Sequence, residues 1–150
     1  MTDPGFDQVI EENHRWLAEF IKGNVEPCKA MYSHGEDVTL AGPLPTAHSA
    51  TAPIAHGWKQ VAETLERANA NFKDGEVTSF ENVARYVTPD MACTVELEHF
   101  RARVYGRKDV APVVLRVTSV FRREDGAWKL VHRHADPVTS AQPAESIVQE

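Results

Sequence analysis

The sequence predicts an α+β fold, and two observations carry that expectation. Helical spacing of apolar residues dominates the first half of the chain, whereas the stretch from Glu76 to Asp136 consists of long β-rich runs joined by short turns. Helices gathered ahead of consecutive, turn-linked strands imply an antiparallel sheet with helices on one face, an α+β roll. A chain of 150 residues is the length of one ordinary domain, here expected to have a core from Phe6 to Pro137 and a tail over 138–150.

Each element has its own warrant. Asp3-Pro4 offers a cap and a first-turn proline, and Phe6, Val9, Ile10, Trp16, Leu17, Phe20 and Ile21 keep helical spacing up to Gly23. A short helix is expected from Val25 to Tyr32, with Pro27 in its first turn, followed by a turn and a short strand at Val38–Ala41. Between Gly42 and Gly57 the chain holds Pro43, Pro45 and Pro53 among Ala, Ser and Thr, which predicts a long surface loop. A third helix, Trp58–Phe72, carries Val61, Leu65 and Ala68 on one stripe. Four strands follow: Glu76–Tyr86, Met91–Val104, Val113–Arg123 and Ala127–Asp136, the last two joined through Glu124-Asp125-Gly126. The tail after Pro137 is expected to fray or to pack on a neighbour.

The last strand invites the closest attention. Strict alternation places Trp128, Leu130, His132, His134 and Asp136 on one face and Lys129, Val131, Arg133 and Ala135 on the other. The first of these faces runs from apolar to ionisable, a pattern that suits the wall of a pocket with a dry base and a polar mouth.

Bulk properties exclude several classes. A formal charge of −6 and the lack of a basic stripe argue against nucleic acid. No apolar run approaches the ~20 residues of a membrane span, and the polar start, Met-Thr-Asp-Pro-Gly-Phe-Asp, does not read as a signal peptide. A cytoplasmic protein is expected. Cys28 and Cys93 lie far apart with no CxxC spacing, so reduced thiols are expected rather than a disulfide.

Three stretches, Tyr32-Ser-His-Gly-Glu-Asp-Val-Thr-Leu40, His56-Gly-Trp-Lys-Gln-Val61 and Phe121-Arg-Arg-Glu-Asp-Gly-Ala-Trp-Lys-Leu-Val-His-Arg-His134, resemble the SnoaL-like branch of the nuclear transport factor 2-like superfamily. The resemblance covers Phe6 to Pro137 and implies a cone-shaped roll whose curved sheet wraps around the N-terminal helices and a central cavity. It also implies a homodimer through the outer sheet face. Ketosteroid isomerases, dehydratases, epoxide hydrolases, polyketide cyclases and pure association domains share that fold, so the fold alone chooses no function. The isomerase triad is not matched. Gly42 stands at the place of its general base, Trp16 at that of its tyrosine and Ser119 at that of its protonated aspartate. Glycine cannot move a proton and an indole donates one hydrogen bond. The same comparison turns Leu115, Val117, Ser119 and Phe121 inward and Arg116, Thr118 and Val120 outward, and puts Leu130, His132, His134 and Asp136 on the cavity side.

The candidate chemistry carries a functional and a structural reading side by side. His132 and His134, about 7 Å apart on one strand face, could supply a general acid or base oriented by Asp136, or could both be structural. A metal held by the pair with His34 has no supporting ligand spacing, and neither a metal nor a cofactor is expected. Asp37 could pair with either histidine or cap its own turn. The apolar trio Cys93, Val95 and Leu97 is expected to face the core, which would leave Glu96 and Glu98 on the outer face beside Arg116 and Arg133 unless a bulge shifts the register. Trp16, Tyr32, His34, Trp58 and Ser119 complete the candidate substrate-binding set, with Trp58 placed to close over a ligand. Ser33, Ser49 and Ser119 lack a GxSxG context for acyl-enzyme chemistry. Two functions fit: a cofactor-independent isomerase, cyclase or hydratase acting on a small apolar or aromatic molecule, or a non-catalytic ligand-binding or dimerising domain.

Overall fold

A computed structural model describes residues 4–42 and 53–149. Helix α1 (Pro4–Phe20) and helix α2 (Glu26–Met31) lead into a short strand β1 (Thr39–Ala41). A further short strand β2 (Ile54–His56) precedes helix α3 (Trp58–Asn69). Then come four long strands: β3 (Phe72–Val87), β4 (Met91–Val104), β5 (Ala111–Glu124) and β6 (Ala127–Pro137). The six strands form one sheet in the order β2-β1-β6-β5-β4-β3. β1 runs parallel to β6 while the other neighbours are antiparallel. This is the α+β roll the sequence predicts.

Helix α1 lies against one face of the sheet because its apolar stripe meets aromatic side chains there. Phe6 contacts the edges of Phe121 and Trp128 with ring centroids 5.5 and 5.4 Å apart. Trp16, Leu17 and Ile21 are buried on the same stripe. On β5, Leu115, Val117, Ser119 and Phe121 face inward as expected.

Two orientations differ from expectation, and both concern the site. On β6 the pairing runs Phe121↔Leu130 and then Val120↔His132, so Val131 is an extra residue in the strand. A bulge of this kind exchanges the two faces for every later residue. Trp128 and Leu130 point inward before it; Val131, Arg133 and Ala135 are the buried residues after it. His132, His134 and Asp136 therefore lie on the outer face, not on the cavity side. On β4 the buried set is Ala92, Thr94, Glu96, Glu98, Phe100 and Ala102, so both glutamates face inward and Cys93, Val95 and Leu97 outward. That orientation follows from the unbroken register Thr94↔Ser119, Glu96↔Val117, Glu98↔Leu115, since directly opposed residues share a face.

The stretch expected as a loop over 42–57 contains strand β2, which pairs with β1 through Thr39↔His56 and Ala41↔Ile54; its residues 43–52 lie outside the described residues. At the start of that stretch Gly42 has φ +83°, and a Cβ there would stand 1.8 Å from the Ala135 carbonyl oxygen. Only glycine lets the chain pass so close to β6. Beyond Pro137 the chain is mostly exposed and includes one 3-10 turn, Ala144–Ile147. Among the described residues no helix is long and apolar enough to cross a membrane.

Candidate ligand pocket

Where α1 and α3 meet the inner face of the sheet they leave a pocket. Trp16, Phe20, Leu65, Phe72 and Phe100 give it apolar walls, and Arg133 and Thr64 are the polar residues among its lining. About 520 Å³ inside it, counting the mouth, is free of atoms, of which ≈ 50 Å³ is open to the centres of water molecules. Trp16 also borders an outer groove with Pro27, Met31 and Trp128, so its indole is the partition between that groove and the pocket.

Arg133 reaches the pocket because the Val131 bulge turns it inward. Its two terminal nitrogens donate to the two carboxylate oxygens of Glu98, each at 2.8 Å. The pair is deeply buried, Arg133 at 6% and Glu98 at 1% residual exposure. Burial opposes the arginine charge, and the adjacent Glu98 carboxylate more than offsets that, so Arg133 is held in its charged form more firmly than usual. The guanidinium carbon lies 5.0 Å from the centre of the Trp16 ring. Trp16 is fixed in turn: its indole N–H donates to Asn13 Oδ1 at 2.6 Å. Burial also pushes the nearby Cys28 thiol far above its usual pKa, which leaves it protonated and unreactive.

Thr64 has the opposite character. Its hydroxyl is buried and has no hydrogen-bond partner among the described residues; Thr94 Oγ1 and Trp128 Nε1 share that condition, but neither residue lines this pocket. An unmet buried hydroxyl is destabilising by about 1–3 kcal/mol.

A second inward polar pair stands nearer the β3 edge. His14 Nε2 lies 3.0 Å from both oxygens of Glu96, and Asn82 donates to Glu96 at 3.4 Å. The His14 ring stacks on Phe80 with centroids 3.7 Å apart.

The residues singled out from sequence separate into three places. Trp16 lines the pocket. Tyr32 is buried, its hydroxyl donating to the Thr39 carbonyl at 2.9 Å, and Ser119 is buried on the inner sheet face; neither lines the pocket. His34 is exposed: its Nε2–H donates to the Lys29 carbonyl at 2.8 Å and its ring stacks on the half-buried Trp58 at 3.9 Å. On the outer face the His132 and His134 ring centroids are 6.4 Å apart. His132 Nδ1 is 2.8 Å from the Thr39 hydroxyl. Burial, then the neighbouring His134, lowers the His132 pKa below its usual value. Asp136 orients neither ring; it pairs with Arg116, which holds its carboxyl below the usual range. Asp37 likewise pairs with Arg122, at 2.6 and 3.1 Å, rather than with a histidine. Among the described residues no group of three or more His, Cys, Asp or Glu side chains is placed to hold a metal ion.

Arg133, Glu98, Thr64 and His14 were not marked as site residues by the sequence. The available signal was a run of polar residues at alternate positions, Thr94, Glu96 and Glu98, leading into Phe100 and Ala102 on the same face. A face that ends in core residues argues that its charges are buried and paired.

A family model described as SnoaL-like domain matches residues 9–139. Among curated proteins no match is found. Several solved structures share the fold. A protein of the nuclear transport factor 2-like family from Streptomyces avermitilis is 21% identical with a TM-score of 0.71, over 93% of this chain and 100% of its own. A ketosteroid isomerase-like protein from Erwinia carotovora atroseptica is 15% identical with the same score, over 93% and 100% of the two chains. The CaMKII hub of S. rosetta is 18% identical, with a TM-score of 0.65 over 92% and 99%. At these identities the likeness concerns the fold.

Proposed function

We propose that this chain, which belongs to the SnoaL-like domain family, uses the pocket between α1, α3 and the sheet to hold a small, mainly apolar molecule. The observation that carries this reading is a pocket walled by Trp16, Phe20, Leu65, Phe72 and Phe100 that also presents Arg133. Apolar, aromatic walls with a single charged group at one end suit a small, mainly apolar ligand. Binding accounts for the site better than proton transfer, because Arg133 is the one titratable residue among those lining the pocket. An arginine does not deprotonate near neutral pH. Neither His132 nor His134 can serve as acid or base to a molecule held there, since both rings stand on the far side of the sheet from the pocket.

The test is saturable binding of one-ring compounds, followed by thermal shift and calorimetry, in the parent chain and in Ala68→Phe. Ala68 lines the pocket and is partly exposed on α3, so a larger side chain can fill the space without unpacking the core. Binding that Ala68→Phe abolishes supports the reading. An equal response in both proteins places the ligand elsewhere and refutes it.

Self-association through the outer sheet face is a second reading with its own support. Val95, Leu97 and Val120 are only partly covered on that face and Tyr86 is 62% exposed. A solved relative in this fold is named a hub, consistent with assembly in that protein. Light scattering of the parent chain and of Leu97→Lys decides it: a dimer converted to monomer supports the interface, and a monomeric parent removes it.

A further inference from the structure

The Val131 bulge sets two imidazoles side by side on the outer face of β6. His132 and His134 follow one another there, with ring centroids 6.4 Å apart. His132 is half-buried and held: its Nδ1 lies 2.8 Å from the hydroxyl of Thr39, the β1 residue directly opposite it. Among the described residues its Nε2 makes no hydrogen bond, and neither ring nitrogen of the exposed His134 makes one. The residues beside the pair on β1 and β5 are Thr39, Ala41, Thr118 and Val120, none of them charged. Asp136, next along the face, is already paired with Arg116.

Imidazoles at alternate positions of a strand share a face and can hold one metal ion. A zinc ion stands about 2.0–2.1 Å from each bound nitrogen, which at the tetrahedral angle puts the two ring centres roughly 5 Å apart. The difference from the observed 6.4 Å is within reach of a rotation of His134, which is exposed and unrestrained. Thr39 serves the other ring. With Nδ1–H donating to the threonine oxygen, the lone pair of His132 is left on Nε2, where a metal takes it. Burial, and then His134, lower the His132 pKa, so the ring is neutral at pH 7, the form that binds a metal. Two ligands are fewer than a structural or catalytic zinc site has, and no third His, Cys, Asp or Glu among the described residues completes the set. The remaining positions on the ion fall to water or to an outside ligand.

We infer that His132 and His134 form an open two-histidine site for a divalent transition-metal ion on the outer sheet face, with Thr39 as its positioning residue. Imidazole nitrogen selects copper(II), nickel and zinc over the oxygen-seeking magnesium and calcium, and copper(II) above zinc. The site lies across the sheet from the pocket and does not rest on what the pocket holds.

The experiment titrates zinc, copper(II) and magnesium chlorides into the chain, free of any histidine tag, at pH 7 by calorimetry, while long-range nitrogen-15 spectra follow the imidazoles. One zinc per chain is expected, with copper(II) tighter, magnesium without effect and the His132 Nε2 resonance displaced. His134→Asn changes an exposed side chain and keeps the fold, and Thr39→Val removes only the hydroxyl; each is expected to weaken zinc by about tenfold or more. Thr39→Ser, which restores a hydroxyl, is expected to recover the parent affinity. His99→Asn, on the same face but two strands away, is expected to leave it unchanged. No saturable zinc binding, a stoichiometry other than one per chain, parental affinity in His134→Asn or an unmoved His132 resonance overturns the site. Parental affinity in Thr39→Val overturns the part given to Thr39.

Discussion

Breaking the Glu98–Arg133 pair from one side should be among the most damaging changes available to this chain. Both residues are buried, and their two hydrogen bonds of 2.8 Å leave no water to take over if either is lost. In Glu98→Leu the guanidinium stays charged beneath Trp16 without a counterion; in Arg133→Met the carboxylate is left in the same position. Each is expected to destabilise by about 3–5 kcal/mol. For a chain of this length that corresponds to a fall of roughly 6–20 °C in Tm. Replacing both, as Glu98→Leu with Arg133→Met, removes the two desolvated charges together and should cost far less than the sum of the single changes. Urea unfolding of the parent, both single variants and the double variant closes the cycle, with Asp109→Asn as control for the exposed Arg107–Asp109 pair, expected to leave the urea midpoint nearly unchanged. Single variants as mild as that control, or a double variant equal to the sum, would refute the claim that a buried, mutually dependent pair forms the polar end of the pocket.

Two further changes probe the strands that position it. Gly42→Ala introduces a methyl group against the Ala135 carbonyl, 1.8 Å away, at positive φ. It should shift or detach β1 from β6 and destabilise by more than about 2 kcal/mol, read as a lower urea midpoint; a change under 0.5 kcal/mol would contradict the packing. His132 has a lowered pKa in the folded chain, through burial and His134, so below its ordinary 6.5 the unfolded chain binds more protons than the folded one. Stability from this group is therefore complete above pH 6.5 and declines as pH falls through the window beneath it. His132→Asn should flatten that part of the stability profile, and a profile unchanged by the substitution would show that the ring is not desolvated.

Much of the scaffold was legible because its signals are local. The spacing of Phe6 to Ile21 specifies α1, and the turn Glu124-Asp125-Gly126 delimits β5 and β6. The inner face of β5, with Leu115, Val117, Ser119 and Phe121, was implied by the family resemblance, and those residues are buried. What was not legible depends on pairing. Leu130 and Val131 are both apolar and both buried, so nothing in their chemistry marks where the alternation of β6 breaks. The break appears only in the register with Val120 and Phe121. Once it is present, Arg133 turns inward and Glu98, 35 positions earlier, acquires a counterion. Periodicity within one strand cannot show that compensation, so the glutamates read as solvent-facing and the histidines as cavity-facing. β2 escaped for a different reason: three residues, Ile54–His56, paired to an equally short β1 are too few to show a period.

The account depends on which side of the sheet after Val131 meets the ligand. Nitrogen-15 spectra that resolve the arginine Nε–H, the indole N–H groups and the histidine rings, recorded while cyclohexanone is added, read both sides at once. Saturable shifts at Arg133 and Trp16, with His132 and His134 unmoved, are the predicted result. Shifts at the two imidazoles with Arg133 and Trp16 silent would contradict it.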